Sequence, residues 1–357
     1  MVNRNRALLF VGSYLSSNAE KKVSNISLSE SLSMQLAQIG WTTLLTSRKI
    51  NPLFRLTNIA RDILCKRHDY DLVLIDLYSG RAFLLGEISA TLLRMLKKNH
   101  VIILHGGNLP EYSKQHKKRI SRLFNGSDHI VAPSKYMQIQ MAKFDKEIQI
   151  IPNSIEVTRY PYKHRELVDP HLVWLRAFHK IYNPTLAPKV ISRLIKEFSE
   201  IILTMVGPDK KDGSYIQTLE AAKNLDVLSR IELPGKVSND DVPNWLNKGD
   251  IFINTTNFDN TPVSVIEAMA CGLCIVSTDV GGIPYLMEDE VDALLVPPDD
   301  PDAMAGAVRR ILTDPDLAAR LSANARKKAE SFSWERVLPM WERLINDVLE
   351  NNETQKN

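Results

Sequence analysis

DIFINTTNFDNTPVSVIEAMACGLCIVST, residues Asp250 to Thr278, reads as one strand, one loop, one helix and a second strand. DIFINT (Asp250–Thr255) and LCIVST (Leu273–Thr278) are short apolar runs. Thr261 suits the N-cap of the intervening helix and Pro262 its first turn, where a missing N–H costs nothing. The same rhythm extends outward through HLVWLR (His171–Arg176), IILTMVG (Ile201–Gly207), RIELPG (Arg230–Gly235) and ALLVP (Ala293–Pro297), with helices at Val190–Phe198, Tyr215–Asn224 and Pro301–Leu312. It recurs upstream in ALLFVG (Ala7–Gly12), TTLLT (Thr42–Thr46), DLVLID (Asp71–Asp76), VIILHGG (Val101–Gly107), DHIVAPS (Asp128–Ser134) and IQIIPN (Ile148–Asn153). Continuous apolar strands alternating with helices imply parallel sheets covered on both faces, an α/β class.

A chain of 357 residues exceeds one ordinary core and suits two domains. RYPYKHRELVDP, with two prolines and many charges, is the linker candidate within Thr158–Pro170. Domains are therefore expected at 1–160 and 161–334, with a helix at 335–350 packing back on the first. The charge is asymmetric: Met1–Arg165 holds 25 Lys+Arg against 12 Asp+Glu, and the remainder 20 against 30. A basic half attracts phosphates or an anionic membrane surface. The arginines and apolar run of Met1–Leu15 suggest a secretory signal, but without a small-residue cleavage site they read better as a first buried strand. Cys65, Cys271 and Cys274 are too few for a disulfide framework and fit a reducing compartment. The lone CxxC, Cys271 to Cys274, reads as packing.

In open parallel sheets, ligands bind beyond the C-terminal ends of strands. The loop after Asp250–Thr255 opens a helix there, so Asn260, Thr261, Pro262 and Val263 present an N-terminus suited to a diphosphate. Asp259 precedes it, and Glu267 sits in an apolar context where an unpaired carboxylate is costly. Arg176, ending VWLR, and Lys180 can neutralise an anion; otherwise they are surface charges at a strand end. His105 follows a strand beside two glycines. Gly12 and Ser13 follow the first strand. Lys114, Lys117, Lys118, Arg119 and Arg122 share PEYSKQHKKRISRLF with Ile120, Leu123 and Phe124. That stretch is either a solvated charged face or a basic amphipathic helix for an anionic membrane or acceptor. Nucleic acid is disfavoured, as is a dehydrogenase, since no GxGxxG follows an early strand.

NTTNFDNTPVSVIEAMACGLCIVSTDVGGIPYLM resembles the donor-binding signature of family 4 retaining glycosyltransferases of GT-B fold, two facing Rossmann-like domains with the active site in the cleft. The resemblance is dense from Val173 to Pro298 and looser in the first half, and FSWERVLPMWERLI (Phe332–Ile345) resembles the family's closing segment. It implies that Glu267 binds the donor ribose and that Asp259, where the family has Glu, addresses the sugar. Arg176 and Lys180 would hold the pyrophosphate, His105 would face the scissile bond, and Gly12 and Ser13 would face the donor phosphates. The expected reaction transfers a sugar from a nucleoside-diphosphate sugar to a glycan or glycolipid hydroxyl with retention, in polysaccharide or glycolipid synthesis. No metal and no cofactor beyond the donor are expected, and the expected setting is cytoplasmic, at the inner face of a membrane. The rivals are a GT-B-shaped epimerase and a non-catalytic partner of another transferase.

Overall fold

The computed structural model describes residues 6–12, 27–46 and 51–356. The chain forms two compact units, one ending at Ser154 and resumed from Trp334 onward, the other Ile155–Ser333.

In the first unit the strands are β1 (Ala7–Val11), β2 (Thr42–Leu45), β3 (Leu72–Leu77), β4 (Asn99–Leu104), β5 (His129–Ala132) and β6 (Gln149–Ile150), in the sheet order β2-β1-β3-β4-β5-β6. The second has β7 (His171–Leu175), β8 (Ile202–Val206), β9 (Ile231–Gly235), β10 (Ile251–Asn254), β11 (Cys274–Thr278) and β12 (Leu294–Val296), ordered β12-β11-β10-β7-β8-β9. All pairings are parallel, as the apolar runs predict.

Successive side chains of a strand face opposite ways, and both faces are apolar for that reason. Leu172, Trp174, Ile251 and Ile253 enter one core of the second unit, whereas Val173, Phe252 and Ile275 enter the other. Leu9 and Ile75 likewise separate from Leu8 and Leu74 in the first unit. The helix Trp334–Lys356 buries Val337, Trp341, Leu344 and Ile345 with Leu8, Phe10, Leu32 and Leu36 of the first unit.

The boundary lies at Ser154/Ile155, six residues ahead of the predicted 160/161, because Ile155, Val157 and Tyr160 join a core of the second unit. The candidate linker is pinned to that unit. The fully buried Arg165 donates from Nε to Asp250 Oδ1 at 3.2 Å, from Nη2 to Asn247 Oδ1 at 2.9 Å, and from Nη1 to the Cys271 carbonyl. Asp250 also accepts from Lys163 Nζ at 2.8 Å and from the Asp169 N–H at 3.0 Å. Prolines and charges mark a boundary by composition, but here the charges are spent inside the fold.

Two smaller expectations also shift. The helix expected at Val190–Phe198 runs Leu186–Leu194. The basic stretch is two helices, Leu109–Gln115 and Lys117–Asn125. Its apolar residues Ile120, Leu123 and Phe124 are buried in the first unit's core, which leaves them unable to insert into a bilayer. No helix among the described residues is long and apolar enough to cross a membrane.

Candidate functional site

From the adjacent strands β7 and β10 the chain runs in opposite directions, from β7 to β8 on one side and from β10 to β11 on the other. The loops after β7 and β10 therefore diverge and open a crevice at the carboxyl ends of the strands. Arg176 is the first residue beyond β7, and its N–H donates to the Val206 carbonyl at 3.0 Å. Gly207, beyond β8, approaches so closely that a Cβ there would lie 1.7 Å from the Arg176 carbonyl oxygen. The guanidinium pairs through Nη2 with Asp259 Oδ2 and lies over the Tyr182 ring, 4.7 Å from its centroid. Arg176 Nε is buried without a hydrogen-bond partner in the protein.

Asp259 is fixed by the backbone around it. Oδ1 accepts the Asn260 N–H at 2.8 Å, and its carbonyl accepts the Gly282 N–H at 2.8 Å. Gly281 and Gly282 press on this segment: added Cβ atoms would meet the Asp259 and Asn260 carbonyl oxygens at 2.2 and 1.9 Å. Burial pushes the Asp259 carboxyl above the usual range, although the Arg176 charge opposes it.

The helix after this loop starts at Val263, with Pro262 as its N-cap and no side chain capping its N–H groups. Thr261, expected as the cap, stands one residue too early, because Pro262 is still extended (φ −70°, ψ 112°). Its hydroxyl and that of Ser264 are instead buried with no partner in the protein. Asn260 is buried beside them and Val263 is half-buried. Glu267, one turn further along this helix, accepts the Tyr160 hydroxyl at 2.6 Å. Burial pushes its carboxyl up, against the Tyr160 hydrogen bond and the Arg176 charge. Arg176, Asp259, Thr261 and Glu267 thus belong to one constellation.

Lys180 begins a short turn, Lys180–Tyr182, tied to the loop after β10 where the Asn257 N–H donates to the Ile181 carbonyl at 2.8 Å. Its own N–H donates to Asp212 Oδ2 at 2.8 Å, and the residue is exposed. Unlike Arg176, it is not held on Asp259.

In the first unit, His105 follows β4. Its Nε2 lies 2.8 Å from Asp76 Oδ1, near the end of β3, and its ring stacks on Tyr78 at 4.9 Å. Ser29 Oγ donates to the same Asp76 oxygen at 2.5 Å. Ser29 and His105 help line a cavity of about 30 Å³, roughly the space of one water. Gly12 directly follows β1 and is buried; Ser13 lies outside the described residues.

Asp76, Tyr160, Tyr182 and Ser264 were not legible as site residues. Asp76 carried a signal, being a carboxylate near the C-terminal end of a buried strand, as Arg176 is a cation at one. Tyr160 carried none, because its partner Glu267 is 107 residues away. Cys271 and Cys274 are buried, and burial pushes both thiols up to about 12, as inert packing residues should behave. Among the described residues no three His, Cys, Asp or Glu side chains gather as a metal site would require.

A model of Glycosyltransferase Family 4 matches residues 38–159, and one of Glycosyl transferases group 1 matches 169–314. The chain belongs to the family 4 glycosyltransferases. A stretch of 96 residues is 36% identical to D-inositol 3-phosphate glycosyltransferase of Saccharomonospora viridis, covering 27% of this chain and 22% of that relative, well under two thirds of its length. Among solved structures, sucrose-phosphate synthase of Thermosynechococcus elongatus superimposes with a TM-score of 0.79, at 15% identity, over 97% of this chain and 100% of that one. HepE of Anabaena, in complex with UDP and glucose, gives 0.74 at 16% identity over 96% and 100%. The fold is GT-B.

Proposed function

We propose that the chain transfers a sugar from a nucleoside diphosphate to an acceptor hydroxyl with retention of anomeric configuration. The observation that carries the reading is the trio of buried polar atoms without protein partners, Arg176 Nε, Thr261 Oγ1 and Ser264 Oγ, grouped around an uncapped helix N-terminus. Buried polar groups are almost always paired, so three together mark a place for a polar ligand. One cationic and two hydroxyl donors, beside free N–H groups, suit a diphosphate. Glu267 offers acceptors for ribose hydroxyls, and Asp259 for those of the sugar.

In the reaction, the bond from the anomeric carbon to the diphosphate breaks as the bond to the acceptor oxygen forms on the same face. The leaving phosphate takes the acceptor proton, so no protein nucleophile is needed. Arg176 neutralises the charge developing on that phosphate, and Lys180 adds to it once its mobile stem reaches the ligand. His105, held by Asp76, is proposed to serve the same reaction, and Gly12 and Ser13 to serve donor binding.

The proposed acceptor is a glycan or glycolipid in surface polysaccharide synthesis, in the cytoplasm. Attachment to an anionic membrane through Lys114–Arg122 is kept on charge alone. Release of nucleotide from UDP-, GDP- and ADP-sugars, with and without acceptor, tests the activity; UDP comes first, as the nucleotide held by HepE of Anabaena. Tight nucleotide binding with no release under any condition would favour the non-catalytic partner.

A further inference from the structure

On the first unit, the helix Lys117–Asn125 and the turn Ala142–Phe144 flank an open groove of about 610 Å³, within the size range of small-molecule sites. Lys117, Lys118, Arg122 and Lys143 line it, against a single carboxylate, Asp145. Neighbouring cations are neutralised within the protein: Lys114 by Glu111 at 2.7 Å and Arg119 by Glu87 at 2.5 Å. None of the four groove cations has an ion pair among the described residues. The groove thus gathers four cations that make no close ion pair, with Glu87 and Glu111 acting on Arg122 and Lys143 only from a distance.

Lys143 carries the cost of that arrangement. Burial first, then the charges of Lys114 and Lys117, hold its ammonium below the usual lysine range. Its Nζ lies 5.3 Å from the centroid of the buried Phe144 ring. Like charges gathered at close quarters are relieved by a counter-charge.

We infer that this groove binds a terminal phosphate group, of either a phosphorylated lipid headgroup or a free phosphorylated solute. Four cations against one carboxylate match a dianion better than the single charge of a phosphodiester, and ammonium and guanidinium donors make charge-assisted hydrogen bonds to phosphate oxygens. The inference does not rest on the transferase reading and survives its failure.

The test uses the full chain carrying Arg176→Ala, so that binding at the second unit's site is suppressed. Inorganic phosphate is titrated calorimetrically at low salt. Flotation is measured with phosphatidylcholine vesicles containing phosphatidic acid, or phosphatidylserine at equal surface potential. Adding Lys143→Gln with Arg122→Gln should weaken phosphate or phosphatidic acid binding by roughly 10-fold or more, as losing charge-assisted hydrogen bonds does. The control, Lys196→Gln with Lys223→Gln, removes the same charge from exposed positions of the second unit and should change little. Circular dichroism checks that both pairs fold. Binding of inorganic phosphate alone identifies a soluble ligand; binding of phosphatidic acid vesicles alone identifies a lipid. Equal affinity for phosphatidylserine, equal losses in both double variants, or no binding of either probe would overturn the assignment.

Discussion

Burial pushes the Asp259 and Glu267 carboxyls above their ordinary range, so each costs the folded protein stability at neutral pH. Below about pH 4, the ordinary carboxylate value, both are protonated folded and unfolded, and the contribution is fully present. As pH rises through the raised folded values, the unfolded chain has already released its protons, and stability is lost. Glu267→Gln, which keeps an acceptor for the Tyr160 hydroxyl, should therefore raise the unfolding midpoint of the ligand-free protein at neutral pH while weakening nucleotide binding. Melts and nucleotide titrations of the same sample check both halves; a lowered midpoint would show Glu267 to be structural. Arg176→Ala should lower turnover by roughly 10²–10³, the usual effect of removing one donor to a developing anion, a larger loss than its effect on stability. An unchanged rate removes Arg176 from the site. Both residues were legible because an acid in an apolar helix and a cation at a strand end break the local pattern. Asp76 and Tyr160 act through partners 29 and 107 residues away, a relation that no local pattern encodes.

The loops show how elements aim the side chains. Gly281 and Gly282 matter through the space they leave for the Asp259–Asn260 backbone. Gly282→Ala should displace the Asn260 backbone, and the adjacent Asp259 with it, and cost nucleotide affinity by about 10-fold or more, or ~1.4 kcal/mol. The far-ultraviolet circular dichroism should be preserved; wild-type affinity would show that the loop tolerates the shift. The segment read as a linker is the opposite kind of element. Removing the buried Arg165 guanidinium leaves Asp250 with Lys163 as its one remaining charged partner and empties four carbonyl and amide acceptors. Arg165→Ala should cost ~3–5 kcal/mol, as breaking a buried ion pair does; denaturant unfolding measures it. The strand segments were legible because hydrophobic runs are local, whereas the Arg165 hub was hidden because composition does not distinguish a solvated charge from a paired one. In the basic stretch the apolar residues likewise face the core, so its cations form the outer face, as both readings of that stretch allow.

The chain leaves the first unit at Ser154 and returns to it at Trp334. The two units thus differ in what truncation does to them. Residues 155–333 contain Tyr160, Arg176, Asp259, Thr261, Ser264 and Glu267 together with both cores of their sheet. Expressed alone, that fragment should fold and keep nucleotide binding, measured by calorimetry. Ending the chain at Ser333 instead strips Trp341 and Ile345 from the first unit's core and should make that unit aggregate. The two-unit α/β organisation was legible in the recurrence of apolar runs; the boundary was not, because Ile155, Val157 and Tyr160 declare their unit only by what they pack against. The central claim, a nucleotide site in the second unit, is tested most directly by thermal unfolding of the full chain with UDP, GDP and ADP, beside Glu267→Gln. At a ligand concentration ~100 times its dissociation constant, the favoured nucleotide should add about 2.7 kcal/mol to the wild type and less to the variant. Identical midpoints with and without every nucleotide, in a folded sample, would contradict the account.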